Sequence, residues 1–200
     1  MKIILASASP RRRELLHNIF DSFDILTSTC EEHATFETPS QYVIDLALQK
    51  ADDVAVRYAD NSCQNAEETL VIGADTIVYS DGCVLGKPSD KACAQAMLRS
   101  LSGKDHHVYT GVSIVHLKDG RKSFHNLFAC TKVSVATLSD EEISAYTETP
   151  DPYDKAGSYG IQGYFSRHIL GIEGDYFNVV GLPVNRLYET LKDLNLLHSF

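Results

Sequence analysis

Residues 3–13 read IILASASPRRR, an apolar run followed by two serines, a proline and three arginines. The apolar run Ile3–Ala6 is typical of a buried strand, and the amphipathic stretch Glu14–Phe20 is typical of a helix. Ser9 suits the N-cap, and Pro10 suits the first helical position because its missing N–H is not needed there. The chain therefore begins with a strand, a turn and a helix.

The same turn gathers groups that hold anions. The backbone N–H groups of the first helical turn, the hydroxyls of Ser7 and Ser9, and the three guanidinium groups of Arg11–Arg13 would face one spot. Such a spot suits a polyphosphate. An ordinary capped helix with a solvated basic start explains the same residues, and the turn alone does not decide between the two.

Strands and helices continue to alternate along the chain, which indicates an α/β fold. A long antiparallel hairpin in the second half makes the sheet mixed, and the absence of an internal repeat or strong linker favours a single domain over residues 1–200. The main predicted elements are a strand at Phe23–Thr27, a helix at Ser40–Tyr58, a buried strand at Leu70–Ala74, a helix at Asp90–Leu101, a hairpin over Val108–Thr137 and a loop at Pro150–Gly163.

Composition excludes several classes of protein. A net charge of -9 disfavours a general nucleic-acid binder, which needs a broad basic surface. No apolar run is long enough to span a membrane, and no basic amphipathic helix suggests membrane binding. The five cysteines are scattered without a C-x-x-C pair, which indicates a reducing compartment, and we expect a cytoplasmic protein.

Two acidic positions are candidates for metal or acid–base chemistry. Asp75 lies in a hydrophobic strand, where a carboxylate needs a cation, a metal ion or hydrogen bonds to compensate its burial. Glu32 follows a predicted strand and would complete a site for a hard divalent cation. The structural alternatives are an aspartate paired with a lysine and a solvated glutamate.

Three lysines and one glutamine complete the list of candidates. Lys87 lies between Gly86 and Pro88, and Lys50 interrupts the inner half of a helix rich in alanine and leucine, although lysines in both settings are commonly surface residues. Lys155 and Gln162 lie in a segment with three glycines in ten residues, which favours close approach of the backbone to a ligand. Gln162 could read a nucleobase edge because an amide both donates and accepts hydrogen bonds. A glycine-rich connecting loop is the alternative.

Several of these segments together resemble the Maf family of nucleotide pyrophosphatases, and they occur in the family's order. The glycine-rich nucleotide-binding fingerprint and the Walker A loop are both absent, so the usual nucleotide-binding folds are not indicated. The matching segments are Ser7–Arg12, Gly73–Val78, Gly86–Pro88, Leu101–Gly103, Asp154–Gly157, Gln162–Gly163 and Val179–Pro183.

The resemblance implies a Maf/inosine-triphosphatase-like fold, with a mixed twisted sheet, flanking helices and two lobes around a central cleft. It also implies hydrolysis of a nucleoside triphosphate to the monophosphate and pyrophosphate with a divalent cation, Mg²⁺ or Mn²⁺. By position, Asp75 matches the family's proton acceptor, and Glu32 and Asp75 match a metal site. The positions that match substrate-binding or specificity residues are Ser7, Ser9, Arg11, Arg12, Lys50, Thr76, Lys87, Lys155 and Gln162.

Arg11, directly after the proline of the first motif, resembles the branch that acts on dTTP and UTP. One segment departs from the family: Tyr164–His168 replaces the small, glycine-rich residues that often follow Gln-Gly. The resemblance is compatible with a homodimer. Two other functions stay open from the sequence, a nucleotide sensor without catalysis and a related nucleotide phosphatase with another base specificity.

Overall fold

The computed structural model describes residues 1–33, 35, 37–61 and 68–197. These residues form the expected mixed α/β fold. The strands are β1 (Lys2–Leu5), β2 (Asp24–Ile25), β3 (Thr69–Ser80), β4 (Cys83–Leu85), β5 (Asp105–Lys118), β6 (Arg121–Val135) and β7 (Ile169–Glu173). The helices are α1 (Pro10–Leu16), α2 (Pro39–Asn61), α3 (Lys91–Leu101), α4 (Asp140–Thr147), α5 (Tyr176–Val180) and α6 (Val184–Asp193).

The strands of the described residues form one seven-stranded sheet in the order β2-β1-β3-β5-β6-β7, with β4 paired to β3. Strand β1 is parallel to β2 and to β3, whereas β4 is antiparallel to β3 and β7 is antiparallel to β6. The expectation of a mixed sheet is therefore confirmed. Two-residue Asp-Gly turns join β3 to β4 and β5 to β6; Asp119 and Gly120 both have positive φ, as a tight hairpin turn requires.

Backbone contacts divide the chain into two compact units. The first contains the described parts of Met1–Asp75, Thr110–Ala129 and Gly181–Phe200, and the second contains Thr76–Tyr109 and Cys130–Val180. Each unit has its own apolar core. In the first, α2 packs through Ala51, Val54 and Ala55 with residues of β1, β3 and β5. In the second, β3 and α3 pack with β6, α4, Tyr159 and Phe165. A single domain over residues 1–200 stays a prediction.

Several element boundaries differ from those expected. Strand β2 has only two residues, both exposed, because it lies at the edge of the sheet with one partner. The segment predicted as a loop before Gly163 contains short 3₁₀ turns at Asp151–Asp154 and Ala156–Ser158. No helix of the described residues has the length and hydropathy needed to cross a membrane. Cys63 lies outside the described residues, and the other four cysteines are unpaired.

Candidate active site

The parallel pairing of β1 with β3 brings the first motif next to Asp75. Leu5 pairs with Ile72, and the Ala6 N–H donates to the Ile72 carbonyl at 2.8 Å. Both strands run in the same direction from this point. The turn that begins at Ser7 therefore lies beside the part of β3 that leads to Asp75.

The serines of this turn organise α1 and Arg12. Ser9 is the N-cap of α1, and its hydroxyl accepts the Arg12 N–H at 3.4 Å, with Pro10 in the first helical turn. The Ser7 hydroxyl accepts the Ser9 N–H at 3.3 Å and an Arg12 Nη1 hydrogen bond at 3.3 Å. Arg12 also donates through Nε to the Gly181 carbonyl at 2.9 Å. The predicted start of α1 is confirmed. The Arg12 side chain folds back to contact Ser7 in the preceding turn.

A glycine in β3 lets α2 approach the sheet closely enough to place Lys50. A Cβ on Gly73 would lie 2.4 Å from the Ala47 carbonyl oxygen and 2.9 Å from the Ala51 Cβ, so no larger residue fits. Lys50 lies on α2 between these two alanines, and Asp75 lies two residues after Gly73. The close contact of α2 with β3 thus places Lys50 beside Asp75.

Lys50 joins the two acidic candidates. Its Nζ lies 2.5 Å from Asp75 Oδ1 and 3.2 Å from Glu32 Oε1. The side chains of Lys50 and Asp75 are 16% and 14% exposed, so this pair is shielded from water, whereas Glu32 is 46% exposed. Its neighbour Glu31 is 88% exposed, and only Glu32 turns inward. One alternative from the sequence was an aspartate paired with a lysine, and Asp75 does have such a partner in Lys50.

The charge of Arg12 is also part of this group. Burial lowers the pKa of Arg12, and the neighbouring charge of Arg11 acts in the same sense. The carboxylates of Asp75 and Glu32 act in the opposite sense and favour the charged guanidinium. Three cations, Arg11, Arg12 and Lys50, thus lie with two carboxylates in the first unit.

The donor set suits a hard divalent cation. Carboxylate oxygens are the ligands that Mg²⁺ and Mn²⁺ prefer, and the two carboxylates that meet at Lys50 already accommodate one positive charge between them. Within the described part of the chain, no group of three or more His, Cys, Asp or Glu side chains is arranged as a metal site. Two protein carboxylates therefore need further ligands from substrate or water, as is usual for Mg²⁺.

In the second unit, a backbone hydrogen bond connects the segments that contain Lys87 and Lys155. The Gly157 N–H donates to the Gly86 carbonyl at 3.0 Å, directly before Lys87. Gly157 has a φ of 68°, and a Cβ there would lie 2.9 Å from Val78. The glycine-rich segment therefore packs tightly against β3 and is bonded to the residue that follows β4. Lys87 itself is exposed, while the following Pro88 is buried.

Lys155 has intramolecular partners. Its Nζ donates to the Asp151 carbonyl at 2.6 Å, to Asp151 Oδ1 at 2.9 Å and to Asp154 Oδ1 at 2.6 Å, and its side chain is 13% exposed. Gln162, in contrast, is exposed and directly precedes a 3₁₀ turn. Thr76 follows Asp75 on β3 and is half-buried. The substrate-binding roles of these residues stay predictions.

Sequence reasoning missed two buried features of the second unit. Tyr146, which is buried, donates from its hydroxyl to Asp151 Oδ2 at 2.6 Å and so supports the partner of Lys155. His106 is also buried and contacts Tyr159. The two-residue period of a strand was the available signal, since it puts His106 on the same face as the apolar Val108.

Comparison with known proteins finds relatives that cover nearly the whole chain. Residues 2–194 match the model of a family described as Maf-like protein. A dTTP/UTP pyrophosphatase of Agathobacter rectalis is 51% identical over 201 residues, covering 98% of both chains. Proteins of the same name from Thermoanaerobacter pseudethanolicus and Clostridioides difficile are 48% and 45% identical, covering 98% and 100% of this chain and 100% and 98% of theirs.

Proposed function

The chain belongs to the Maf-like protein family, and on that premise we propose that it hydrolyses dTTP and UTP to the monophosphate and pyrophosphate. The observation that supports this most directly is the group formed by Arg12, Lys50, Glu32 and Asp75 beside the Ser7–Ser9 turn. This group combines cations for phosphate with carboxylates for a metal ion and a water molecule. Near-complete coverage by relatives named for this activity supports the same assignment.

Phosphate binding is assigned to the basic and hydroxyl groups. A triphosphate has about four negative charges, and each charge-assisted hydrogen bond contributes about 1.5–3 kcal/mol. In the first unit, Ser7, Ser9, Arg12 and Lys50 provide such donors, together with the N–H groups at the start of α1. In the second unit, the exposed ammonium of Lys87 is the corresponding donor.

Asp75 is assigned the proton-transfer role. Its carboxylate lies in a shielded position on a rigid strand, where it can hold a water molecule in line with the α-phosphorus and accept its proton. A divalent cation bound by Asp75 and Glu32 would supply Lewis-acid polarisation and lower the pKa of that water. Lys50 keeps the two carboxylates together through its ammonium group.

Base selection is assigned to Arg11, Thr76 and Gln162. The exposed amide of Gln162 can donate to and accept from the edge of a pyrimidine, and Thr76 directly follows Asp75. The contribution of Lys155 is to fix the loop before Gln162, because its ammonium is already satisfied by Asp151 and Asp154.

The substitution Asp75→Asn tests the assignment. We expect the fold to persist and pyrophosphate release from dTTP or UTP to fall by at least about 100-fold, because the amide cannot accept the proton. Asp52→Asn is the matched control, since Asp52 also forms an ion pair, with Lys122 at 2.6 Å, but lies on α2 with a side chain that is 37% exposed. Its activity should equal that of the wild type.

The reaction product separates this function from the alternatives. Release of pyrophosphate in the presence of Mg²⁺ or Mn²⁺, and its loss with a chelator, is the expected result. Release of orthophosphate would indicate a phosphatase, and tight nucleotide binding without turnover would indicate a sensor. Near-normal turnover by the Asp75→Asn variant would remove Asp75 from the mechanism.

A further inference from the structure

A buried hydrogen bond joins the start of β5 to the middle of the loop Lys155–Gln162. His106 Nε2 lies 2.6 Å from the Tyr159 hydroxyl, and the two rings meet edge to face with centroids 5.3 Å apart. The side chains are 1% and 4% exposed. Within the described residues, His106 Nδ1 has no hydrogen-bond partner, so Tyr159 is the one polar anchor of this ring.

The loop next to this anchor has an unfavourable backbone. Gly157 and Ser158 are both left-handed, with φ of 68° and 62°, and Ser158 is fully buried. A serine adopts this conformation only where its surroundings hold it. Tyr159 is the next residue, and the Gly157 N–H on the other side donates to the Gly86 carbonyl. The left-handed pair is thus held between a backbone hydrogen bond and the tyrosine.

Both partners of the buried bond are neutral. Burial lowers the pKa of His106 to about 4 and raises the pKa of Tyr159. A neutral pair in an apolar environment keeps its geometry across the neutral pH range. The apolar neighbours are aromatic as well, because Phe165 packs against Tyr159 with centroids 5.0 Å apart.

We propose that His106 is a positioning residue that, through the Tyr159 hydroxyl, holds the Lys155–Gln162 loop in the conformation that binds the nucleotide. This inference rests on the proposed function, because Gln162 is assigned there to base selection. His106 touches no substrate in this scheme. It sets the position and orientation of the loop residues that contact the nucleotide.

The test compares three single variants. Tyr159→Phe keeps the ring and removes the hydroxyl. His106→Gln keeps a nitrogen that can bond the Tyr159 hydroxyl. His107→Gln is the matched control, because His107 is the exposed neighbour on the same strand.

Two measurements are made on each variant, KM and kcat for dTTP, and amide hydrogen exchange of the metal-free protein. For Tyr159→Phe we expect a KM increase of about tenfold with kcat changed by less than about threefold, the size of one lost buried hydrogen bond. Exchange of the Gly157–Gly160 amides should accelerate by about tenfold, while that of the β1 amides stays constant. His106→Gln should largely retain the wild-type KM and the wild-type exchange rates, and His107→Gln should match the wild type.

Unchanged exchange at Gly157–Gly160 in Tyr159→Phe would overturn the positioning role, whatever the activity. Equal increases of KM and of loop exchange in His106→Gln and Tyr159→Phe would also overturn the positioning role. The hydrogen bond that glutamine retains to the Tyr159 hydroxyl would then have no effect. An inactive wild type with accelerated loop exchange in Tyr159→Phe would refute the proposed function and retain the positioning role. The exchange measurement thus separates the two failures.

Discussion

Lowering the pH should destabilise this protein through the buried side chain of His106. Burial among apolar residues lowers the pKa of His106 from about 6.5 to about 4. The adjacent charge of His107 acts in the same sense, and Asp105 opposes it weakly. The unfolded chain therefore takes up a proton at His106 before the folded chain does, so stability is lost as the pH falls from about 6.5 to about 4.

The size of this loss follows from the pKa difference. Each pKa unit corresponds to about 1.4 kcal/mol, so the full effect of His106 is about 3 kcal/mol, of which about 2 kcal/mol appears between roughly pH 7 and pH 5. Such a change is a large fraction of the stability of a typical domain. Carboxylates that form ion pairs also titrate in acid, so the effect of His106 has to be isolated by comparison.

Urea unfolding of the wild type and of His106→Gln near pH 7 and near pH 5 provides that comparison. The wild type should lose about 2 kcal/mol more than the variant over this interval, because glutamine does not titrate. His107→Gln, at the exposed neighbouring position, should retain most of the dependence of the wild type, because burial is the largest cause of the lowered pKa of His106. Equal pH dependence in the wild type and His106→Gln would show that His106 is not held neutral by its environment.

Two further substitutions test the packing and the hydrogen bonds of the site. Gly73→Ala should lower the free energy of unfolding by about 1–3 kcal/mol in urea titrations, because the new Cβ would overlap the Ala47 carbonyl; unchanged stability would contradict the close helix–strand contact. Arg12→Lys should raise the KM for dTTP by about tenfold, because an ammonium cannot reproduce the Nε bond to Gly181 together with the Nη1 bond to Ser7. A wild-type KM in that variant would argue against a role for the guanidinium geometry.

Much of the site was predictable because its local parts depend on neighbours in the sequence. The cap at Ser9 with Pro10 behind it starts α1 as expected, and the Asp-Gly pairs turn both hairpins. The apolar run before Asp75 forms the centre of β3, whose residues are buried as a continuous hydrophobic run predicts. The family resemblance predicted from the sequence which charged residues, among them Arg12, Lys50 and Asp75, belong to the site.

Other expectations depended on partners distant in sequence. Strand β2 is shorter than the predicted strand at Phe23–Thr27, because an edge strand extends only where its single neighbour offers hydrogen bonds. The hydrogen bond of the buried His106 to Tyr159 was not predicted, because the two residues are 53 positions apart in the sequence.

By itself, the amino-acid sequence determined the α/β class, the capped turn and the hairpins, because caps, turns and apolar periodicity act within a few residues. Its ordered motifs also indicated the family. Only the tertiary structure decided that Lys50 bridges Asp75 and Glu32 and that Tyr159 anchors its loop on His106. The physical reason is that ion pairs and buried hydrogen bonds depend on how closely helix and strand approach. That approach is set by packing, here by a glycine at position 73 beneath α2.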